Sequence, residues 1–301
     1  MKDDKICVIT GGGSGIGLAA ARLLGEGSSV ILVGRTGSKL ELAAAELRVG
    51  GIDAQTCACD LADRESALRV ADFARERGRI AAVIHAAGLS PHMGDARSIM
   101  EANALGTMNV NDAFFPVMES GSCIVDVSSM AAYLAPRIIL PRRRYPLARV
   151  DRDRFMRAMM RRVNLFPIGL RPSVAYGISK DFAIWYAKTD AARFGEKGSR
   201  VVSVSPGNFE TPMGELEKDE ASAYIGKCAI KRFGKPEEIA RLLLACADER
   251  MGYLTGVDIV CDGGCTASAL RRNTTASKRS RGRRRAALDE PPWELGASSC
   301  G

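Results

Sequence analysis

The sequence predicts an α/β fold, a doubly wound parallel sheet held in one domain over residues 1–270. Short apolar strands alternate with helical patterns through most of the chain. A glycine-rich turn separates the first strand from the first helix. The length of 301 residues suits a large α/β domain with a single core.

The elements follow in order. Lys5–Thr10 carries Ile6-Cys7-Val8-Ile9, a run of buried-strand length, and Ile16–Leu24 reads as the first helix. Val30–Val33 is a second apolar strand and Lys39–Arg48 a second helix. A third strand lies near Ala54–Ala58, a third helix over Arg64–Arg77, and a fourth strand over Ala81–His85. A helix over Ser98–Met118 precedes the strand Cys123–Val127. A helix from Val174 to about Phe194 precedes the strand Arg200–Val204. A helix over Pro236–Ala247 and a strand over Val257–Val260 complete the series. Apolar strands alternating with helices imply a parallel sheet covered on both faces, and right-handed crossovers make it doubly wound.

Two stretches break this rhythm. Residues 137–171 form an insertion with eleven Arg, two Asp and several prolines, a net +9. Residues 271–301 read as a basic disordered tail. With residue 270 included it carries +5, so the total of +8 leaves the body at −6.

No apolar run is long enough to span a bilayer, and Met1–Lys5 leads into a strand with no signal core. A cytoplasmic protein is expected. Cys57-x-Cys59 and Cys261-x3-Cys265 lack tetrahedral-site spacing with a nearby His, so reduced thiols are expected and no metal.

The turn reads Thr10-Gly11-Gly12-Gly13-Ser14-Gly15-Ile16-Gly17. Glycine lets the backbone turn sharply and approach a pyrophosphate closely. The helix start supplies free N–H groups and the positive end of its dipole. In strand–turn–helix context this predicts a dinucleotide site. NAD sites place a carboxylate after the second strand for the ribose 2′-hydroxyl. Here Val33-Gly34-Arg35-Thr36 has none. Arg35 suits a 2′-phosphate, with Ser14, Thr36, Ser38 and Lys39 as further donors, so NADP is expected over NAD. Asp60, at the carboxyl edge after the third strand, reads equally as an adenine contact or as a helix cap.

Tyr176 and Lys180 stand at i and i+4 and share one helical face. A phenol near pKa ~10 exchanges protons poorly at neutral pH, and a nearby ammonium lowers it. Tyr176 is thereby a candidate general acid or base. Ser128-Ser129 ends a strand, where a hydroxyl can orient a substrate oxygen.

With these elements in this order, the sequence resembles the short-chain dehydrogenase/reductase family over roughly residues 5–268. Its pattern T-G-x3-G-x-G matches Thr10 to Gly17, its N-A-G element matches His85-Ala86-Ala87-Gly88, and its helix asparagine matches Asn103. Its serine matches Ser129 rather than Ser128, its Y-x3-K pair matches Tyr176 and Lys180, and its nicotinamide-flanking element matches Pro206-Gly207 and Thr211. The resemblance implies a Rossmann sheet and a hydride transfer between the nicotinamide and a carbonyl or alcohol. It makes Tyr176 the acid/base, Lys180 its tuner and ribose ligand, Ser129 the carbonyl anchor and Asn103 the holder of a relay water. It extends the cofactor contacts to Ile16, Leu61, Ala87, Gly88 and Phe209.

His85 stands where the family has Asn and reads as a satisfied core or sheet-edge ring. The crossover before Asn103 is short and the segment before Tyr176 long. That combination resembles a branch including bacterial 3α-hydroxysteroid dehydrogenase/carbonyl reductase, and it implies bulky apolar substrates such as steroid-like ketones. A 3-oxoacyl-thioester reductase is a second reading. A non-catalytic dinucleotide-binding regulatory or interaction protein is a third, disfavoured because a binding module needs no tuned phenol.

In the insertion, Met156, Met159, Met160, Val163 and Phe166 are expected on one helical face, with arginines over the remainder. This helix is expected beside the substrate cleft or at a subunit contact. Phe209–Arg232 is the expected substrate lid. The tail run Lys278–Arg285 lacks interleaved aromatics, so nucleic-acid binding is not favoured. A homodimer or homotetramer through the helices near 98–118 and 174–194 is expected, with the insertion a potential obstacle on one surface.

Overall fold

The computed structural model describes residues 5–25 and 28–268, with residues 218–221 as backbone only. The basic tail expected over 271–301 lies outside the described residues.

Among the described residues, seven strands form one parallel sheet in the order β3-β2-β1-β4-β5-β6-β7. They are β1 (Lys5–Thr10), β2 (Ser29–Gly34), β3 (Asp53–Ala58), β4 (Arg79–His85), β5 (Cys123–Val127), β6 (Arg200–Pro206) and β7 (Asp258–Cys261). The order reverses between β1 and β4, the switch point at which ligands bind in open α/β sheets.

Helices cover both faces. α1 (Gly15–Arg22), α2 (Gly37–Val49) and α11 (Pro236–Ala247) lie on one. α3 (Arg64–Arg75), α5 (Gly106–Phe114) and α8 (Arg171–Glu196) lie on the other. The central strands are apolar on both sides, and Val8, Ile9, Leu32, Val83, Ile84, Ile124 and Val125 are fully buried. Each such side chain contributes about 1.5–3 kcal/mol relative to exposure.

The helix expected over Ser98–Met118 is three pieces: α4 (Ala96–Met100), a wider π-type turn over Glu101–Leu105, and α5. α6 (Ala131–Leu134) follows β5, while α9 (Pro212–Leu216) and α10 (Lys218–Ile225) follow β6 in the expected lid.

The insertion folds as a tight 3-10 segment, Arg142–Arg149, and α7 (Arg152–Val163). Phe155, Met156, Met159 and Val163 are buried, as the periodicity predicts, whereas Met160 and Phe166 are only half-buried. This face packs on α4 and α8 around Tyr145, Phe182 and Tyr186. Phe155 and Phe182 ring centroids lie 4.6 Å apart, and the Tyr145 ring meets Phe182 edge-on at 5.3 Å. The insertion is therefore a further layer on the helices expected to pair subunits.

Candidate active site

The glycine-rich turn is shaped by what glycine lacks. Gly11 has φ +68°, and a Cβ there would sit 3.0 Å from the Ala86–Ala87 backbone. A Cβ on Gly17 would lie 2.6 Å from the Gly11 carbonyl oxygen, so only glycine lets α1 start this close to the turn. At Gly15, φ is +56° and the nearest atom to such a Cβ is Thr211 Cβ at 3.7 Å. The turn and the start of the lid thus flank one opening. Ser14 precedes α1 in extended conformation with no side-chain cap bond, leaving the first-turn N–H groups to the opening. Gly13 and Ile16 lie along the same turn and are half-buried.

Arg35 and Thr36 are exposed at the end of β2, and Thr36 begins α2 without a side-chain cap. Asp60 Oδ1 accepts from Ala62 N–H at 3.0 Å, while Asp63 caps α3 through Ser66 N–H. The cap reading of Asp60 is thus corrected: it closes a local turn, because Asp63 has the three-residue spacing that capping requires. Leu61 is buried, and Asn109 Nδ2 donates to its carbonyl at 2.8 Å and to that of Ala62 at 2.9 Å. Arg152 of the insertion donates to Asn109 Oδ1, so the insertion helps hold this edge of the groove.

Thr10 joins β1 to β4. Its Oγ1 accepts from Ala87 N–H at 3.1 Å and shares a hydrogen bond of 2.8 Å with His85 Nδ1. The ring is neutral: burial, aided by the Lys180 charge, pushes His85 down to about 3. His85 is a core residue as expected, although its Nε2 has no partner among the described residues.

Asn103 sits in the π-type turn. Its Oδ1 accepts from Leu89 N–H at 2.8 Å, and its Nδ2 donates to the Leu89 carbonyl at 2.9 Å and to Ser179 Oγ at 3.2 Å. A Cβ on Gly88 would lie 2.9 Å from Asn103 Oδ1 and 3.4 Å from Lys180 Nζ. Gly88, Asn103 and Lys180 therefore converge, though they come from three elements.

Lys180 is buried on α8 and its Nζ donates to the Val127 carbonyl at 3.0 Å. Ser128 Oγ donates to the Lys180 carbonyl at 2.8 Å, so Ser128 fixes the helix against β5. Ser129 is the half-buried member of the pair and lies close enough to Tyr176 to draw its phenol down. Lys180 Nζ lies 5.7 Å from the Tyr176 ring centroid.

The electrostatics differ from the simple expectation. Burial pushes the Tyr176 phenol up to about 12, the Ser129 bond pulls it back, and the Glu217 carboxylate of the lid pushes it further. Burial pushes Lys180 down to about 8, against the pull of Asp126. Each group is penalised for its charged form, and burial is the largest cause at both.

On the lid side, the Pro206 carbonyl accepts from Met130 N–H at 2.8 Å, and Gly207 N–H donates to Cys261 at 2.9 Å. A Cβ on Gly207 would strike Asp262 at 2.7 Å. Phe209 is buried beside Gly234, and Thr211 caps α9 by accepting from Gly214 N–H at 3.0 Å.

Sequence reasoning did not find Ser179, Asn109 or Asp126 as site neighbours. Their signal is a polar residue inside an otherwise apolar strand or helix, which becomes specific only when partners are known.

Residues 5–140 match the family model described as short chain dehydrogenase, and residues 168–266 match that described as Enoyl-(Acyl carrier protein) reductase. The unmatched interval between them falls within the insertion. The chain is 26% identical to the 3-oxoacyl-[acyl-carrier-protein] reductase FabG of Thermotoga maritima, over 87% of this chain and 98% of that protein. It is 25% identical to the 7alpha-hydroxysteroid dehydrogenase of Bacteroides fragilis, over 88% and 95%. A short-chain type dehydrogenase/reductase from Mycobacterium ulcerans superposes with a TM-score of 0.71 at 26% identity, covering 88% of this chain and 90% of that one. The chain belongs to the short-chain dehydrogenase/reductase family, oxidoreductases whose fold binds a nicotinamide dinucleotide.

Proposed function

We propose that this chain is an NADP-dependent oxidoreductase moving a hydride between the nicotinamide and the carbonyl or secondary alcohol of a bulky apolar substrate. The observation that carries the reading is the gathering of Ser129 and Lys180 about the Tyr176 phenol, with Lys180 Nζ 5.7 Å from the ring centroid.

The residues fit a dinucleotide. The turn has no room for side chains at Gly11 and Gly17, yet it opens at Gly15. The N–H groups of Gly13, Ser14, Gly15, Ile16 and Gly17 would face the pyrophosphate, with Arg35 and Thr36 at the 2′-phosphate. Asp60 and Leu61 would face the adenine, and Ala87, Gly88, Tyr176 and Lys180 the nicotinamide ribose. Pro206, Gly207, Phe209 and Thr211 would flank the nicotinamide. When bound, the dinucleotide supplies or accepts the hydride.

The chain's own part is proton management and orientation. Ser129 Oγ holds the substrate oxygen. Tyr176 Oη donates its proton to that oxygen during reduction and takes it back during oxidation. A phenol held near 12 stays protonated at neutral pH, the form that reduction needs. The Lys180 ammonium favours the phenolate as the proton leaves. Asn103 acts as a positioning residue for a relay water.

The lid supports a bulky apolar ligand, because Leu216 and Tyr224 expose apolar surface there. The steroid and acyl-carrier substrates in the two relatives' names are likewise bulky, and a 3-oxoacyl thioester is the second reading. The reading includes a reducing, cytoplasmic setting, supported by eight free thiols among the described residues. Self-association, as a homodimer or homotetramer, is proposed away from α4 and α8, which the insertion covers.

The test is a panel of steroids, quinones and β-ketoacyl thioesters with NADPH and NADH, followed by loss of reduced-nicotinamide absorbance. Tyr176→Phe should abolish turnover while NADPH still binds. Full turnover by that variant would overturn the mechanism.

A further inference from the structure

Nine of the insertion's eleven arginines fall into two sets. Arg142 pairs with Asp181, Arg149 with Asp190, and Arg152 with Asp112 at 2.9 Å. Arg162 and Arg171 donate to backbone carbonyls. The first three fasten the insertion to the body, and the last two brace it internally. The guanidinium groups of Arg144, Arg154, Arg157 and Arg161 have no carboxylate or hydrogen-bond partner among the described residues.

Those four are not scattered. They line one groove of about 700 Å³ between the 3-10 segment and α7. Arg154, Arg157 and Arg161 share a helical face by their i, i+3, i+7 spacing. Arg162, which is held by backbone carbonyls, and Pro141 also line the groove, and Leu147, Ala158 and Leu165 form its apolar floor, with Leu165 71% exposed. Ile168 and Leu170 lie exposed just beyond. Four guanidinium groups around an apolar floor repel one another and leave hydrophobic surface wet, with no return within the described fold.

We propose that this groove is a docking site for an acidic polypeptide segment, one presenting carboxylates around apolar side chains. Guanidinium groups pair carboxylates bidentately, and Leu147, Ala158 and Leu165 receive the apolar side chains. A nucleic acid fits less well, because no aromatic side chain lines the groove to stack a base. The site is separate from the Tyr176 chemistry, and the proposal does not depend on the substrate.

The test uses the full chain and a short fluorescein-labelled peptide alternating Glu and Leu, read by fluorescence anisotropy. Its controls are a Gln–Leu peptide of equal length and a single-stranded RNA. The Glu–Leu peptide should bind, weaken as salt rises, and lose roughly tenfold or more in affinity to Arg157→Glu/Arg161→Glu. The Gln–Leu peptide should not bind. Arg157→Gln/Arg161→Gln should show a smaller loss, and thermal melting checks that both variants are folded. Glu–Leu binding indifferent to both substitutions would overturn the proposal. Tighter binding of the RNA than of the Glu–Leu peptide, or no binding of the peptide at low salt, would also overturn it.

Discussion

Asn103 and Leu89 are clasped by two hydrogen bonds, one in each direction, at 2.8 and 2.9 Å. The clasp fixes the loop segment after Gly88 to the turn that also holds Ser179 of α8. It therefore ties the backbone after Gly88 to the helix of Tyr176 and Lys180.

Asn103→Ala should lower both stability and turnover. It leaves a buried N–H and a buried carbonyl of Leu89 without partners, each costing about 1–3 kcal/mol. A Tm drop of several degrees is expected, at roughly 2–4 °C per kcal/mol for a chain approaching this size. An unchanged Tm in calorimetry would show that the clasp contributes nothing.

Asp126 should make stability pH-dependent. Its Oδ2 accepts from Asn111 at 2.9 Å, and burial pushes its carboxyl up to about 7. An unfolded Asp ionises near pH ~4. Between that pH and about 7, the unfolded chain binds fewer protons than the folded one, so this group's contribution falls as pH rises. Asp126→Asn does not titrate. The Tm difference should shift in the variant's favour from pH ~4 to 7 and level off above. A constant difference across that range would contradict the raised carboxyl.

Arg35→Asp should exchange cofactor preference. Losing the charge-assisted bonds to a 2′-phosphate should weaken NADPH roughly tenfold or more, with NADH affinity held or improved. Titration by fluorescence gives both constants. Equal affinity of the parent for the two cofactors would remove the role given to Arg35.

Arg142→Ala should destabilise the chain, whereas Arg143→Ala should not. The Asp181 side chain is only 4% exposed and accepts from Arg142 and from the Tyr145 hydroxyl, the latter at 2.9 Å. Removing Arg142 leaves a buried carboxylate with one donor fewer, at a cost of about 1–3 kcal/mol. Arg143 is exposed without a partner among the described residues, and its loss should stay within about 0.5 kcal/mol. Urea unfolding of the two variants makes the comparison, and equal midpoints would contradict it.

Elements with strong apolar runs were legible in the sequence. β1 over Lys5–Thr10, β5 over Cys123–Val127 and α11 over Pro236–Ala247 lie at the expected bounds. The interruption at Glu101–Leu105 was not, because a single widened turn leaves the apolar period almost intact while it carries Asn103 toward Leu89. Tyr176, Lys180 and Ser129 were legible as types and spacing, and their convergence required coordinates. The phenol's upward shift was not legible, since it depends on burial and on Glu217 across the lid. Nor was the pairing of Arg142 with Asp181, whose partners are distant along the chain and carry no local signal.

The layer formed by Tyr145, Phe155 and Met159 over α4 and α8 has a consequence for dilution. A helix whose outer side is sheltered only by a second copy loosens when copies separate, so its order follows the law of mass action. Here the shelter is covalently continuous with the helix it protects. The outer side of α8 should stay ordered however dilute the protein becomes.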